Sequence, residues 1–309
     1  MLNVRNLSVT FTMYEVGLVQ RRLTVITELD LAVQAGELVA VVGASGSGKS
    51  LLAHAVLGIL PSNAEVSSEM SYKGEPLTPA RQAQLRGREI ALIPQSVGFL
   101  DPLQRVGSQV RRAAELSGLD RSAAGQAQAR AFRRYGLANG TRRLFPFQVS
   151  GGMARRVLLA TATVGQADLL IADEPTPGLH PAVVVETLNH LRELADAGKG
   201  VILITHDIEA ALRVADKVAV FYAGTTVEIA AAADFQGDGQ ALRHPYSQAL
   251  WRALPQNGFA PVAGSQPPAD GLPDGCLYAE RCPLVTSTCR QARPELRQVR
   301  EGWVRCIHA

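Results

Sequence analysis

Gly43-Ala44-Ser45-Gly46-Ser47-Gly48-Lys49-Ser50 fits the pattern G-x-x-x-x-G-K-[ST]. Small residues let backbone N–H groups curl around phosphate oxygens, and a helix starting there adds partial positive charge. In such a loop the lysine, Lys49, bridges β- and γ-phosphates, and the Ser50 hydroxyl ligates Mg²⁺. A second chemical segment is Leu169-Leu170-Ile171-Ala172-Asp173-Glu174, an apolar run ending in two acids. Asp173 is placed to hold Mg²⁺ through water, and Glu174 to polarise an attacking water as general base. Ser150-Gly151-Gly152-Met153 puts small residues at the start of a helix-like stretch, which makes a second anion seat. The chain's four cysteines, Cys276, Cys282, Cys289 and Cys306, all fall in its last 34 residues.

These segments need elements to hold them. An apolar strand, Leu38 to Val42, leads into the Gly-rich loop, and a helix begins near Ser50. Further strands are predicted at Leu169 to Ala172, Val201 to Thr205 and Lys217 to Tyr222, with a helix-like stretch from Val183 to Ala197. Apolar strands alternating with helices predict an α/β fold, a parallel sheet with helices on both faces. Nine arginines and only two acids lie between Arg105 and Arg143, which reads as a solvated helical face. The chain divides into an ATPase domain over 1–257, with a helical subdomain at about 96–160, a Pro/Gly/Ala-rich linker over 258–275 and a Cys-rich extension over 276–309.

Composition excludes several classes. Of 309 residues, 47% are hydrophobic and 19% charged, which is ordinary for a globular protein and not for a disordered one. A net charge of +3 gives no argument for nucleic acid. No apolar stretch follows the first residues, so no signal peptide is expected, and no apolar run is long enough to cross a bilayer. A soluble, cytoplasmic protein is the expectation.

Taken in order, the motifs resemble those of the nucleotide-binding subunits of ABC transporters. The family signature LSGGQ stands here as Val149-Ser150-Gly151-Gly152-Met153. Gln95, in Ile93-Pro94-Gln95, matches the Q-loop, Asp173 and Glu174 match Walker B, and His206 matches the switch histidine. The resemblance covers the whole chain. It implies an ABC-type P-loop nucleotide-binding domain in which Gly43 to Leu51 hold ATP. Mg²⁺ then lies among Ser50, Gln95 and Asp173, while Glu174, His206 and Gln95 serve hydrolysis. It also implies a head-to-tail dimer in which Ser150 to Met153 cap ATP bound to the partner's loop. Family members stack adenine on an upstream aromatic; Phe11 fits best and Tyr14 is the rival. Two departures stand out: Met153 replaces the usual Gln, and Pro177-Gly178-Leu179-His180 replaces the common S-A-L-D. His180 is expected to weaken communication with the partner's site.

The tail resembles the C-terminal extension of dipeptide and oligopeptide importer ATPases, a group that includes nickel importers. His244-Pro245-Tyr246-Ser247-Gln248-Ala249-Leu250, the linker and the four cysteines carry that resemblance. It implies a [4Fe–4S] cluster on the cysteines. Zinc is the rival and free thiols the third reading, because gaps of five, six and sixteen residues form no paired C-x-x-C. Few large apolar residues lie in the extension, so metal bonds are expected to order it, with its six arginines favouring thiolates. The implied role is to energise peptide import from the cytoplasmic face of the inner membrane. The implied partners are a second ATPase subunit in a heterodimer, two permease subunits and an extracytoplasmic binding protein, with no nucleic acid. A nickel or metal-chelate importer and a soluble non-transport ABC ATPase are the alternatives. Only 54 residues separate Gln95 from Ser150, too few for the long coiled coil of the latter.

Overall fold

The short apolar runs become strands buried on both faces, the setting in which a strand shows no alternation. The computed structural model describes residues 1–14 and 19–309, which fall into two compact units. One unit comprises Met1, Val33–Leu38 and Leu77–Thr205. Its strands Ile90–Ile93, Leu169–Asp173 and Gly200–Ile204 run parallel, with Leu169–Asp173 in the middle. Every residue of the latter two strands is buried. The helices Val106–Leu116, Arg121–Arg134 and Gly151–Thr163 pack on one another. Val106, Val110 and Ala114 of the first helix are buried, as are Ala124, Ala127 and Phe132 of the second. The nine arginines from Arg105 to Arg143 are exposed apart from the half-buried Arg111.

The other unit comprises Leu2–Ala32, Val39–Pro76 and His206–Ala309. Strand Leu38–Gly43 runs parallel to Lys217–Tyr222, with Val39 opposite Lys217 and Gly43 opposite Phe221. Lys217–Tyr222 turns back through Ala223 and Gly224 into the antiparallel strand Thr225–Ala231. Both turn residues have positive φ, 46° and 85°, as a tight two-residue hairpin demands. A second sheet has the order Gln20–Val33, Leu2–Tyr14, Ala64–Tyr72, Glu75–Pro76.

The Cys-rich extension is tied to the rest of its unit by strand pairing and part-buried ion pairs. Gly302–Val304 pairs with Thr225–Ala231, and Arg297–Val299 pairs with Gly302–Val304. Arg305 donates to Asp30 Oδ2 and to Glu28 O, each at 2.8 Å. Arg243, paired with Glu228 and Asp234, donates from Nε to Val299 O of the extension at 2.8 Å. Its apolar residues are few, but Leu277, Tyr278 and Val304 are buried. Among the described residues no helix is long and apolar enough to cross a membrane.

Candidate functional site

The Gly-rich loop starts where the strand Leu38–Gly43 ends. Gly43 has φ 152°, and a Cβ there would stand inside the van der Waals envelope of the Phe221 carbonyl oxygen, so only glycine fits. Gly48, at φ 89°, closes the loop and N-caps the helix Lys49–Leu57. Ala44, Ser45 and Gly46 are exposed, Ser47 and Lys49 buried, Ser50 and Leu51 half-buried. Lys49 Nζ donates to Gly43 O at 2.9 Å and to Ala44 O at 3.0 Å, which holds the ammonium beneath the loop. Ser47 Oγ is buried without a hydrogen-bond partner among the described residues. A buried cation, an orphaned hydroxyl and an exposed backbone arc at a helix N-terminus fit an anionic phosphate chain.

Asp173 and Glu174 belong to the other unit, at the end of its central strand. Asp173 is 3% exposed and Glu174 8%. Glu174 has φ 47°, a left-handed conformation that costs an L-residue on the order of 1 kcal/mol. Two bonds hold it there. Its N–H donates to Ile204 O at 2.9 Å, and its carbonyl accepts from Arg155 Nη1 at 2.9 Å.

Arg155 was not singled out in the sequence. The same Nη1 donates to Gln95 O at 2.7 Å, so one guanidinium ties the backbone of Gln95 to the backbone of Glu174. Partial burial lowers its pKa, and the Glu174 charge opposes that effect. Nothing in the pair Arg155-Arg156 marks which one turns inward. Arg156 instead donates to Tyr135 O and Gly136 O at 3.2 and 3.1 Å. Gln95 itself is exposed.

Ser150 caps the helix Gly151–Thr163, its Oγ accepting from Met153 N at 3.3 Å. Ser150 and Gly151 are exposed, and Gly152 and Met153 half-buried. Nothing lies within 4 Å of a Cβ built on Gly151, so this helix end is open to a ligand. His180 gains a structural role. It N-caps the helix Pro181–Asp196, with Nδ1 accepting from Ala182 N at 3.4 Å. A capping acceptor is what an Asp supplies at such a position, so the departure keeps the helix start. His206, just beyond the strand Gly200–Ile204, is exposed, and the phosphate loop and His206 belong to the same unit.

Phe11 is half-buried on its strand, paired with Ala64. Tyr14 is exposed and, with Met13, Arg21 and Leu23, lines a cavity of about 390 Å³. In the segment Val97 to Val106 that follows Gln95, Phe99 is 56% and Leu103 86% exposed, whereas Leu100 is 4% exposed.

Cys276, Cys282, Cys289 and Cys306 line one small cavity with His244, Tyr278 and His308. Gly275 allows the approach, since a Cβ on it would collide with Cys289 O. Cys276 N donates to Cys289 O at 2.7 Å. Burial raises the Cys276, Cys282 and Cys306 thiols. The arginines are engaged elsewhere: Arg297 bonds Cys306 O and Ala309 O, Arg305 bonds Asp30, and Arg281 bonds Val262 O and Ala263 O. Among the described residues no set of three or more His, Cys, Asp or Glu side chains is arranged to hold a metal ion.

Comparison with known proteins bears on both regions. Residues 26–177 match the family described as ABC transporter, and residues 227–289 match the oligopeptide/dipeptide transporter C-terminal region. The chain is 34% identical over 320 residues to the dipeptide transport ATP-binding protein DppD of Escherichia coli, covering 98% of this chain and 94% of that one. It is 33% identical over 307 residues to the oligopeptide transport ATP-binding protein OppD of Salmonella typhimurium, covering 95% and 89%. The OppD proteins of Mycobacterium tuberculosis and Mycobacterium bovis are 36% identical over 291 residues, and the chain spans about half their length (47%). A structure titled an ATP binding subunit of an ABC transporter superposes with TM-score 0.64 at 25% identity, covering 76% of this chain and 91% of that one. The dimeric cassette MJ0796 bound to ADP and Pi, at 22% identity and TM-score 0.66, shares the fold and covers 77% of this chain and all of its own. The motifs, the fold and full-length relatives agree, and the chain belongs to the ABC transporter ATP-binding family.

Proposed function

We propose that this chain is the ATP-hydrolysing subunit that energises import of di- and oligopeptides through membrane permeases. The observation that carries the reading is the placement of Glu174, a buried carboxylate at a strand end with its backbone fixed by Arg155. In this reading Gly43 to Leu51 cradle the ATP phosphates, with Lys49 on the β- and γ-phosphates. Ser50, Asp173 and Gln95 hold Mg²⁺. Glu174 accepts the proton of a water whose oxygen attacks the γ-phosphorus as the bond to ADP breaks. His206 orients that water and the γ-phosphate. Ser150 to Met153 cap the nucleotide of a second ATPase subunit, and Phe11, with Tyr14 as rival, stacks the adenine. The peptide substrate is supported by full-length relatives named for dipeptide and oligopeptide transport and by the matching C-terminal region. The complex comprises a partner ATPase, two permeases and an extracytoplasmic binding protein, with this chain peripheral on the cytoplasmic face of the inner membrane.

Docking on the permeases is assigned to the turn after Gln95, where Phe99 and Leu103 expose apolar area. Phe99→Glu with Leu103→Glu is expected to reduce peptide uptake by the assembled transporter at least tenfold while MgATP binding stays at the wild-type level. Uptake of a labelled dipeptide, with nickel uptake beside it, reads this directly. Normal uptake by the variant counts against the docking surface, and nickel uptake without peptide uptake counts against the peptide reading.

For the four cysteines we propose one [4Fe–4S] centre. Four thiolates on a single zinc at about 2.3 Å lie within about 4 Å of one another. Thiolates on the separate irons of a cluster stand further apart. What supports one common centre is that all four cysteines line the same cavity. Protein purified without oxygen is expected to hold about four iron and four sulfide per chain, with the absorbance lost in Cys282→Ser. About one zinc per chain favours the rival, and metal-free protein under those conditions removes the proposal.

A further inference from the structure

The stretch from Pro245 to Gln266 reaches back to the phosphate loop, within the unit that contains both. Gln266 Nε2 donates to Ser45 O at 3.1 Å, and a Cβ built on Gly46 would stand 3.4 Å from the same nitrogen. Burial pushes the Tyr246 phenol up to about 12, so it is neutral, and the Ala44 backbone N–H, which faces the hydroxyl, opposes that effect. Two side chains from the last 64 residues, 246–309, therefore face two consecutive residues of the loop, and Gln266 bonds one of them.

Each is linked towards the cysteine cavity through a neighbour. The Tyr246 ring lies 4.5 Å from Tyr222 and 5.3 Å from Tyr278, centroid to centroid, and Tyr278 lines the cavity. His244 N-caps the helix Pro245–Arg252, its Nδ1 accepting from Tyr246 N at 3.0 Å. Arg281, next to Cys282, donates to Val262 O at 3.1 Å, to Ala263 O at 3.0 Å and to Tyr222 Oη at 3.3 Å. Arg281 thus fixes the chain leading to Gln266 and the ring beneath Tyr246 together.

We propose that Tyr246 and Gln266 are positioning residues of the phosphate loop, and that the Cys-rich extension sets nucleotide affinity through them. The loop carries three glycines in six residues from Gly43 to Gly48, and glycine loses the most conformational freedom on ordering. A loop held in one shape before ATP arrives has less to lose on binding, and affinity rises by that difference. The inference rests on the reading that Gly43 to Ser50 hold the ATP phosphates.

The test uses the full-length chain and measures MgATP affinity together with amide hydrogen exchange over residues 44–48. Tyr246→Phe and Gln266→Ala are each expected to weaken MgATP about 5-fold, the worth of one ordinary hydrogen bond. Loop amides should exchange faster in both. Arg281→Ala touches neither the loop nor the nucleotide, so it is expected to reproduce the loss, and to add little to Gln266→Ala. At saturating ATP the assembled transporter should keep kcat within about twofold, so the effect appears in KM, as expected for interactions that order the free loop. Tyr246→Phe retains the ring and its packing, so a folding failure in the other variants leaves the test intact. Unchanged affinity and loop exchange in Tyr246→Phe and Gln266→Ala would overturn the proposal. A fall in kcat at constant KM would also count against it. Lys49→Ala runs beside these variants; wild-type affinity there removes the phosphate reading itself, a separate failure.

Discussion

Glu174→Gln is expected to lower ATP turnover on the order of 10²-fold or more while leaving MgATP bound, because it removes a general base and little else. The side chains are nearly isosteric. The unusual φ of 47° is a backbone property, and Gln tolerates it about as well as Glu does. The bond from Arg155 reaches the residue 174 carbonyl oxygen, and the bond to Ile204 O leaves its N–H, so neither depends on the carboxylate. What changes is the proton acceptor for the attacking water. With hydrolysis blocked, the ATP-bound pair of subunits should accumulate, since opening awaits cleavage of the γ-phosphate. ATPase rate in the assembled transporter and elution volume with MgATP measure the two halves. Turnover at the wild-type rate would show that another group accepts the proton.

The parts of this site that were legible in the sequence are those where chemistry or burial leaves few residue choices. Gly43 must be glycine because a backbone carbonyl lies where its Cβ would be. The strand Leu169–Asp173 reads as an unbroken apolar run because both of its faces are buried. The parts that were not legible depend on where a side chain turns. Arg155 and Arg156 are neighbours of the same type, yet one braces Gln95 and Glu174 while the other holds Tyr135 and Gly136. Leu100 is buried and Phe99 exposed within one turn, and loop residues carry no periodicity to separate them. The anchoring of the extension was not legible for a similar reason. Arg305 counts as surface charge in a composition, but its partners Glu28 and Asp30 lie 277 and 275 residues away.

Lys49→Ala is expected to abolish measurable MgATP binding in the micromolar range. Lys49 is buried, and its Nζ already bonds the carbonyl oxygens of Gly43 and Ala44, so its position is set by the loop itself. A charge-assisted hydrogen bond contributes about 1.5–3 kcal/mol. Two such bonds to β- and γ-phosphate oxygens amount to about 3–6 kcal/mol, or roughly 10²- to 10⁴-fold in affinity. Alanine also leaves those two carbonyl oxygens with one donor fewer, so part of the loss is loop disorder, and a thermal melt beside the titration separates the two. Lys49→Arg discriminates further. It keeps the charge but puts a wide planar fork into a buried site shaped for a compact ammonium, so binding should fall nearly as far as in the alanine variant. Calorimetric titration with MgATP is the measurement. Wild-type affinity in Lys49→Ala would take the phosphates away from this loop, whereas full rescue by arginine would mean that charge alone, without the lysine's geometry, holds them.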